Sequence, residues 1–459
     1  MECNLNFLLA GNISKLTNLK IRVVSTTVSM ATNKQESATK PKPNTKKRSP
    51  TTTVIEDIED FSNEEIPKIR VSLLQWYYQN QRVLPWRINQ VLDIDVVADD
   101  CRAYAVWVSE IMLQQTRVAT VIDYYNRWME KWPTLQHLAQ ASQEEVNEMW
   151  AGLGYYRRAR FLLEGAKMVV EGEGNFPRNV SDLCKVRGIG DYTAGAIASI
   201  AFKEAVPVVD GNVVRVIARL KAISANPKES VKSFWKLAGQ LVDPSRPGDF
   251  NQALMELGST LCTPTSPGCS TCPVSGQCRA LSLSRNHESV KVTNYPIKVV
   301  KAKQRHDFCA VCVVEILEDR DSDIQEGAHT YLLIKRPKEG LLAGLWEFPS
   351  VLLGGEVGLS MRKQSIDKYL KKSFRIDTKK KGILISREDI GECVHVFTHI
   401  RLKMYVELLV LHLKGEDFLP LPLLMSHSNP IKTPQLIKGW KSALSDINLN
   451  CGILWLYNL

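Results

Sequence analysis

Four of the chain's eleven cysteines fall within CTPTSPGCSTCPVSGQC (262 to 278), spaced C-x6-C-x2-C-x5-C. No other feature limits the fold so strongly, because so many thiols in one short loop must share a disulfide network or a metal centre. The total is odd, and the other seven (Cys3, Cys101, Cys184, Cys309, Cys312, Cys393 and Cys451) are scattered, which argues against a disulfide framework. Structural zinc usually takes two close pairs separated by a longer loop, whereas here one x2 pair sits between gaps of six and five. A single compact loop of thiolates suits a cubane [4Fe-4S] cluster held by Cys262, Cys269, Cys272 and Cys278, with zinc as the alternative.

The 459 residues, 44% hydrophobic and 24% charged, are enough for two or three cored domains. No apolar run reaches the roughly 18 residues of a membrane span. The opening NFLLAG is too short for a secretory h-region. With reduced cysteines this points inside the cell. A net charge of +10 permits a polyanionic partner without requiring one.

Residues 1 to 60 are rich in Ser, Thr, Asn and Lys and poor in aromatics, the composition of a disordered arm. From Asn4 to Gln35 the arm lacks acidic residues and resembles a mitochondrial presequence, while KPKPNTKKR (40 to 48) resembles a nuclear signal. Both organelles are therefore expected. Helical spacing of apolar residues marks an all-α domain over 61 to 283. A basic stretch over 284 to 305 reads as a connector. Strand-like runs FCAVCVVEIL, HTYLLIKR and IRLKMYVELLVL mark a smaller α/β domain over 306 to 425, and a tail occupies 426 to 459. The fold class is thus a multidomain α plus α/β chain. In IRLKMYVE the apolar positions Ile400, Leu402, Met404 and Val406 alternate with polar ones, the period of a strand. Cys309 and Cys312 read as core thiols, not ligands.

Other motifs are ambiguous when read alone. VRGIGDYTAGAI (186 to 197) is a glycine turn before a helix, where Gly188 and Gly190 would admit a phosphate to backbone N–H groups or simply turn the chain. In PVVDGNVVRVIARL (207 to 220) Asp210 is placed as an N-cap. In YAVWVSEIMLQQTRV (104 to 118) Glu110, Gln114 and Arg117 share one helical stripe. Glu110 lies among Trp107, Val108, Ile111 and Met112, so desolvation should raise its pKa towards neutrality.

With the cysteine loop, these segments resemble the endonuclease III and MutY superfamily of helix-hairpin-helix DNA glycosylases, over roughly residues 66 to 425. The resemblance implies a helix-hairpin-helix domain carrying the [4Fe-4S] loop, followed by a Nudix-like domain. It assigns Glu110 to protonation of adenine at N7 and Asp210, with Asn212 beside it, to stabilisation of the oxocarbenium ion. Tyr192 stands where bifunctional relatives have a nucleophilic lysine, which implies glycosidic hydrolysis without strand cleavage. Gln115 and Tyr155 match residues that fill the gap left by an extruded base, with Gln114 beside them. Arg157, Arg158 and Arg160 are candidates for phosphate contact. RVLPWR (82 to 87) resembles the family's base pocket through Arg82, Leu84, Trp86 and Arg87, faced by Gln252.

VFTHIRL resembles a loop that meets 8-oxoguanine, here through Phe397, Thr398 and His399. KRPKEGLLAGLWEFPSV (335 to 351) resembles the Nudix-like domain but lacks the Glu-rich helix that holds Mg²⁺. Three departures stand out: Arg187 where proline is common, an acidic insertion over 88 to 102, and a 263 to 268 loop without basic residues. The implied partner is double-stranded DNA bearing adenine opposite 8-oxoguanine or guanine, bound by a monomer. The connector and tail are candidate contacts for repair and replication proteins. A pyrimidine glycosylase and lyase, or a noncatalytic damage-binding protein, are the alternatives.

Overall fold

The computed structural model describes residues 59–87, 99–172, 174–297, 303–317, 330–337 and 339–412, with two short strands at Val23–Val24 and Trp455–Leu456. The expected arm with its address signals, the tail and residues 88–98 of the insertion lie outside the described side chains. Two compact units result; their described parts are residues 59–297 for the first and residues 303–412 with the two short strands for the second.

The first unit is helical: α1 (Glu65–Asn80), α2 (Asp99–Leu113), α3 (Val118–Lys131), α4 (Leu135–Ala139), α5 (Gln143–Met149), α6 (Arg157–Glu171), α7 (Val180–Leu183), α8 (Asp191–Ala201), α9 (Gly211–Leu220), α10 (Val231–Leu241), α11 (Pro247–Thr260) and α12 (Arg279–Asn286). Local sequence sets the boundaries. Ser142 and Glu145 form a reciprocal capping box that starts α5. Asp210 starts α9 by accepting from the Val213 amide at 2.7 Å, as its N-cap assignment requires. Val213, Val216, Ile217 and Leu220 recur at helical spacing along α9 and bury against Leu73 and Tyr77 of α1, Phe234 of α10 and Leu257 of α11. Cys262, Cys272 and Cys278 pack against the edge of this cluster, so the thiol loop is anchored to the same core.

Three boundaries differ from the sequence reading. Helix α2 already begins at Asp99, inside the expected insertion. It ends at Leu113, so Gln114 and Arg117 leave the helical stripe of Glu110, and Arg117 becomes the N-cap of α3. The expected connector starts within α12, and Val292 and Tyr295 pack on Ala280 and Leu281, which assigns residues 284–297 to the first unit.

In the second unit, β1 (Arg305–Leu317) runs parallel to β7 (Ile400–His412), which pairs antiparallel with β6 (Leu384–Val396). The short strands β2 (Thr330–Tyr331) and β5 (Ser350–Leu353) pair with β1; β3 (Leu333–Lys335) and β4 (Trp346–Glu347) pair with each other. Helix α13 (Leu359–Phe374) covers one face of the larger sheet through Ile366, Leu370 and Phe374. The other face buries Ile400, Leu402, Met404 and Val406, the residues whose alternation marked this strand. Cys309 and Cys312 point into these two opposite clusters and form no ligand pair.

At the junction of α2, α6 and the glycine turn, two glycines are required by geometry. Gly188 sits at φ 86°, and a Cβ there would lie 2.6 Å from Cβ of Phe161. On α6, a Cβ at Gly165 would lie 2.6 Å from the Arg187 carbonyl and 2.8 Å from Trp107 Cη2. This contact sets how closely α2, α6 and the glycine turn approach. Gly165→Ala gains about 1 kcal/mol of helix propensity but incurs an overpacking cost of about 1–3 kcal/mol. The denaturation midpoint should therefore fall; an unchanged or higher midpoint would contradict the close packing.

Candidate active site

A cavity of about 570 Å³ opens in the helical unit, lined by residues from distant parts of the sequence. Glu110 comes from α2, Tyr192 from the first turn of α8, Asp210 and Asn212 from the start of α9, and Gln252 from α11. Arg82, Leu84, Trp86 and Arg87 come from the loop and 3-10 turn after α1, and Gln114 and Gln115 from the turn after α2. Most of the predicted residues of this unit thus line one cavity. Tyr155, Gly188 and Gly190 do not line the cavity; they belong to neighbouring loops.

Glu110 is 8% exposed and receives a 2.6 Å hydrogen bond on Oε2 from the Tyr192 hydroxyl. Burial pushes its carboxyl up to about 7. Tyr192 opposes the rise, the negative charge of Asp210 adds to it, and Arg87 opposes it again. Burial also raises Asp210, but the donors around it favour the charged form. Oδ1 accepts from the Val213 amide at 2.7 Å, Oδ2 accepts from the Asn212 side chain at 2.7 Å, and Arg215 adds positive charge. The two acids share a cavity but differ in their donors: one phenol for Glu110, two N–H groups and a nearby guanidinium for Asp210.

Arg215 extends this arrangement. Its Nη2 donates to Asn212 Oδ1 and to the Gly258 carbonyl, each at 2.7 Å, and its Nε donates to the Cys262 carbonyl at 2.8 Å. One turn on, buried Arg219 donates to Cys262 Sγ at 3.1 Å and to the Thr263 carbonyl at 2.8 Å. A chain of direct hydrogen bonds therefore runs from the Asp210 carboxylate to the thiol loop.

The base-pocket arginines are differently employed than expected. Arg82 places Nε and Nη2 on Glu256 at 2.6 and 2.7 Å, and Arg87 reaches the same carboxylate at 3.1 Å. They line the cavity while neutralising a buried acid, which holds Glu256 below its usual range despite its burial. Arg158 corrects its phosphate-contact assignment: it is buried and donates to backbone carbonyls. Gly190 has open space where a Cβ would stand, so its geometry does not require glycine within the protein. In the second unit Phe397, Thr398 and His399 form the turn between β6 and β7, with Phe397 against the ring of His395 at 4.4 Å. Sequence reasoning missed Glu256, Arg215 and Arg219. The available signal was spacing: Glu256 lies one turn after Gln252, and Arg215 and Arg219 follow Asn212 along one face.

Residues 108–240 match the family described as HhH-GPD superfamily base excision DNA repair protein, and residues 324–427 match the NUDIX domain. The chain is therefore built as a helical base-excision repair domain followed by a Nudix-like one. Proteins named adenine DNA glycosylase align along most of it. The Arabidopsis thaliana protein is 60% identical over 86% of this chain and 64% of its own length. The Rattus norvegicus protein is 46% identical over 76% and 71%. For Schizosaccharomyces pombe the figures are 36% over 76% and 83%. This chain belongs to the adenine DNA glycosylase family. It spans just under two thirds of the Arabidopsis relative.

The raised acid has a stability consequence. Between the ordinary carboxyl value of 4.5 and about 7 the folded state holds a proton on Glu110 that the unfolded state releases, so this residue reduces stability as pH rises through that window. Glu110→Gln removes the penalty. At pH 8 the variant should exceed wild type by about 1–3 kcal/mol, with the gap closing below the unfolded-state value. Denaturant unfolding at both pH values checks this; an equal difference at both would mean that Glu110 does not titrate abnormally.

Proposed function

We propose that the chain removes adenine paired with 8-oxoguanine, or with guanine, by hydrolysing the N-glycosidic bond of an extruded nucleotide. The observation that carries this reading is that Glu110 and Asp210 line the same cavity with different donors, one phenol on Glu110 and two N–H groups on Asp210. An N-glycosidic bond breaks when the leaving base is protonated and the cation-like sugar is stabilised. Glu110, protonated near neutrality, gives its proton to adenine N7 while Tyr192 holds Oε2. The pair of electrons in the C1′–N9 bond leaves with the base. Asp210, held by Val213 and Asn212, faces the positive charge that develops on the sugar. Water then adds at C1′, and the Glu110 carboxylate takes the water's proton, restoring the acid.

Tyr192 has no amine to attack C1′, so no Schiff base forms and the strand stays intact. The cavity's Trp86, Leu84 and Gln252 supply apolar surface and an amide for the base. Gln115 and Tyr155 fill the gap in the duplex. Gly188 and Gly190, with the N-terminus of α8, offer backbone N–H groups to a phosphate, the open side of Gly190 leaving room for its approach. Phe397, Thr398 and His399 are assigned to the base opposite adenine. The address-like segments of the arm support both nuclear and mitochondrial locations.

Cys262, Cys269, Cys272 and Cys278 would hold a [4Fe-4S] cluster. Burial, and after it the charge of the neighbouring thiolates, Cys262 included, disfavours the thiolate forms of Cys269, Cys272 and Cys278, so the four lie within electrostatic reach of one another. Among the described residues no three such side chains converge on a single-ion site. Thiols that are near neighbours without sharing one point suit a polynuclear centre with a ligand at each corner. That centre would tie the loop together; no catalytic step passes through it.

Single-turnover cleavage of a duplex with adenine opposite 8-oxoguanine tests the reading. Wild type should leave an alkali-labile site, and Glu110→Gln should lose about 10²–10⁴-fold in rate, the scale of general acid catalysis. Efficient nicking without alkali would establish a lyase, and tight binding without adenine release a docking protein. Iron and sulfide analysis should find four of each per chain, lost in Cys272→Ser; stoichiometric zinc without iron would refute the cluster.

A further inference from the structure

Arg158 occupies an unusual place for a charged side chain. It is 9% exposed, and burial lowers its pKa to about 10, which leaves it cationic at neutral pH. Its Nη1 donates to the carbonyls of Ile111 (2.9 Å), Met112 (3.0 Å) and Gln114 (2.6 Å). Nη2 donates to the carbonyls of Leu153 (3.3 Å) and Gly154 (3.0 Å) and to Thr116 Oγ1 (3.3 Å). Ile111 and Met112 lie in the last turn of α2, where a helix leaves carbonyls without intrahelical partners and where a cation is favoured by the dipole. One planar guanidinium therefore fastens the end of the helix that carries Glu110 to the loop before α6.

Each fastened loop carries a non-glycine residue in the left-handed region: Gln115 at φ 56° and Tyr155 at φ 50°. Such a residue costs on the order of 1 kcal/mol or more and persists where its surroundings over-determine it. The Arg158 fork supplies that determination on both sides. It hydrogen-bonds the residues adjoining Gln115 and the glycine preceding Tyr155, and its Cζ lies 5.3 Å from the Tyr155 ring centroid. A lysine presents a single point charge and cannot span both sets of carbonyls.

We propose that Arg158 is a positioning residue that locks the Gln115 turn and the Tyr155 loop into one rigid wedge, so that both side chains enter the duplex together and drive the adenine out. The proposal rests on the glycosylase reading and assigns Arg158 to base extrusion, not to bond cleavage.

Arg158→Lys and Arg158→Gln test it on two duplexes, with thermal melting to verify folding. In one, adenine faces 8-oxoguanine; in the other it faces an abasic site, where an unpaired base leaves the stack at less cost. The single-turnover rate relative to wild type should fall about 10- to 100-fold on the first, the scale of a misplaced group, and stay near one on the second. A ratio near one on both duplexes, or an equal fall on both, overturns the proposal. Should both variants fail to fold, native-state hydrogen exchange of wild type decides. The amides of Thr116, Leu153 and Arg158, bonded to Leu113, Trp150 and Tyr155, should share one opening free energy; separate values overturn the lock. A wild type that releases adenine from neither duplex refutes the glycosylase reading, and the exchange measurement then still judges the lock by itself.

Discussion

Burial of the Glu110 carboxyl beside a second acid is the constraint from which the site follows. A carboxylate removed from water must be paired or must keep its proton. Glu110 is given a phenol, which cannot neutralise it, and the field of Asp210, which works against ionisation. Its neighbour is treated oppositely: Asp210 caps α9, so the same helix geometry that sets the core also points N–H groups at its carboxylate. Burial raises both carboxyls, but only Asp210 receives N–H donors that favour its charged form, a difference made by the ordinary means of secondary structure.

The thiol loop belongs to this arrangement mechanically. Arg215 and Arg219 project from α9 one turn apart and grip the loop at the Cys262 carbonyl and sulfur, while Arg215 also holds the Asn212 side chain that bonds Asp210. Gly258 lets α11 approach closely enough for this contact, since a Cβ there would lie 2.6 Å from Asn212 Cβ. The position of the carboxylate is thus set from two sides, by its own helix and by the loop that follows α11. Also in the cavity lining, Glu256 organises Arg82 and Arg87, a buried charge whose two partners reach it from one short segment.

Much of this was legible in the sequence. Asp210 before an apolar helix announced both a cap and an acid, and Glu110 amid Trp107, Val108 and Ile111 announced desolvation, because both signals are local. The cysteine spacing pointed to a compact centre for the same reason, and strict alternation marked the strand from Ile400. What escaped depended on contacts between segments far apart in sequence. Arg158 beside two other arginines reads as a phosphate contact, and only the approach of α2 to the loop at Leu153 reveals the carbonyls it serves. Arg82 and Arg87 read as base contacts because their acid, Glu256, is about 170 positions away. The stripe of Glu110, Gln114 and Arg117 failed because nothing local to QQTR announces a left-handed Gln115 and the helix end it marks. Strand β6 was missed because polar Arg387, Glu388 and Asp389 interrupt it, although Arg387 is paired with Glu407 across the sheet.

Titration of the two acids in the folded protein, by ¹³C NMR of labelled Glu and Asp carboxyl carbons assigned through Glu110→Gln and Asp210→Asn, addresses the central claim most directly. The account predicts a Glu110 resonance that titrates at about 7 while Asp210 is already a carboxylate at that pH. A Glu110 carboxyl that titrates with the exposed glutamates, near the ordinary value of 4.5, would contradict it.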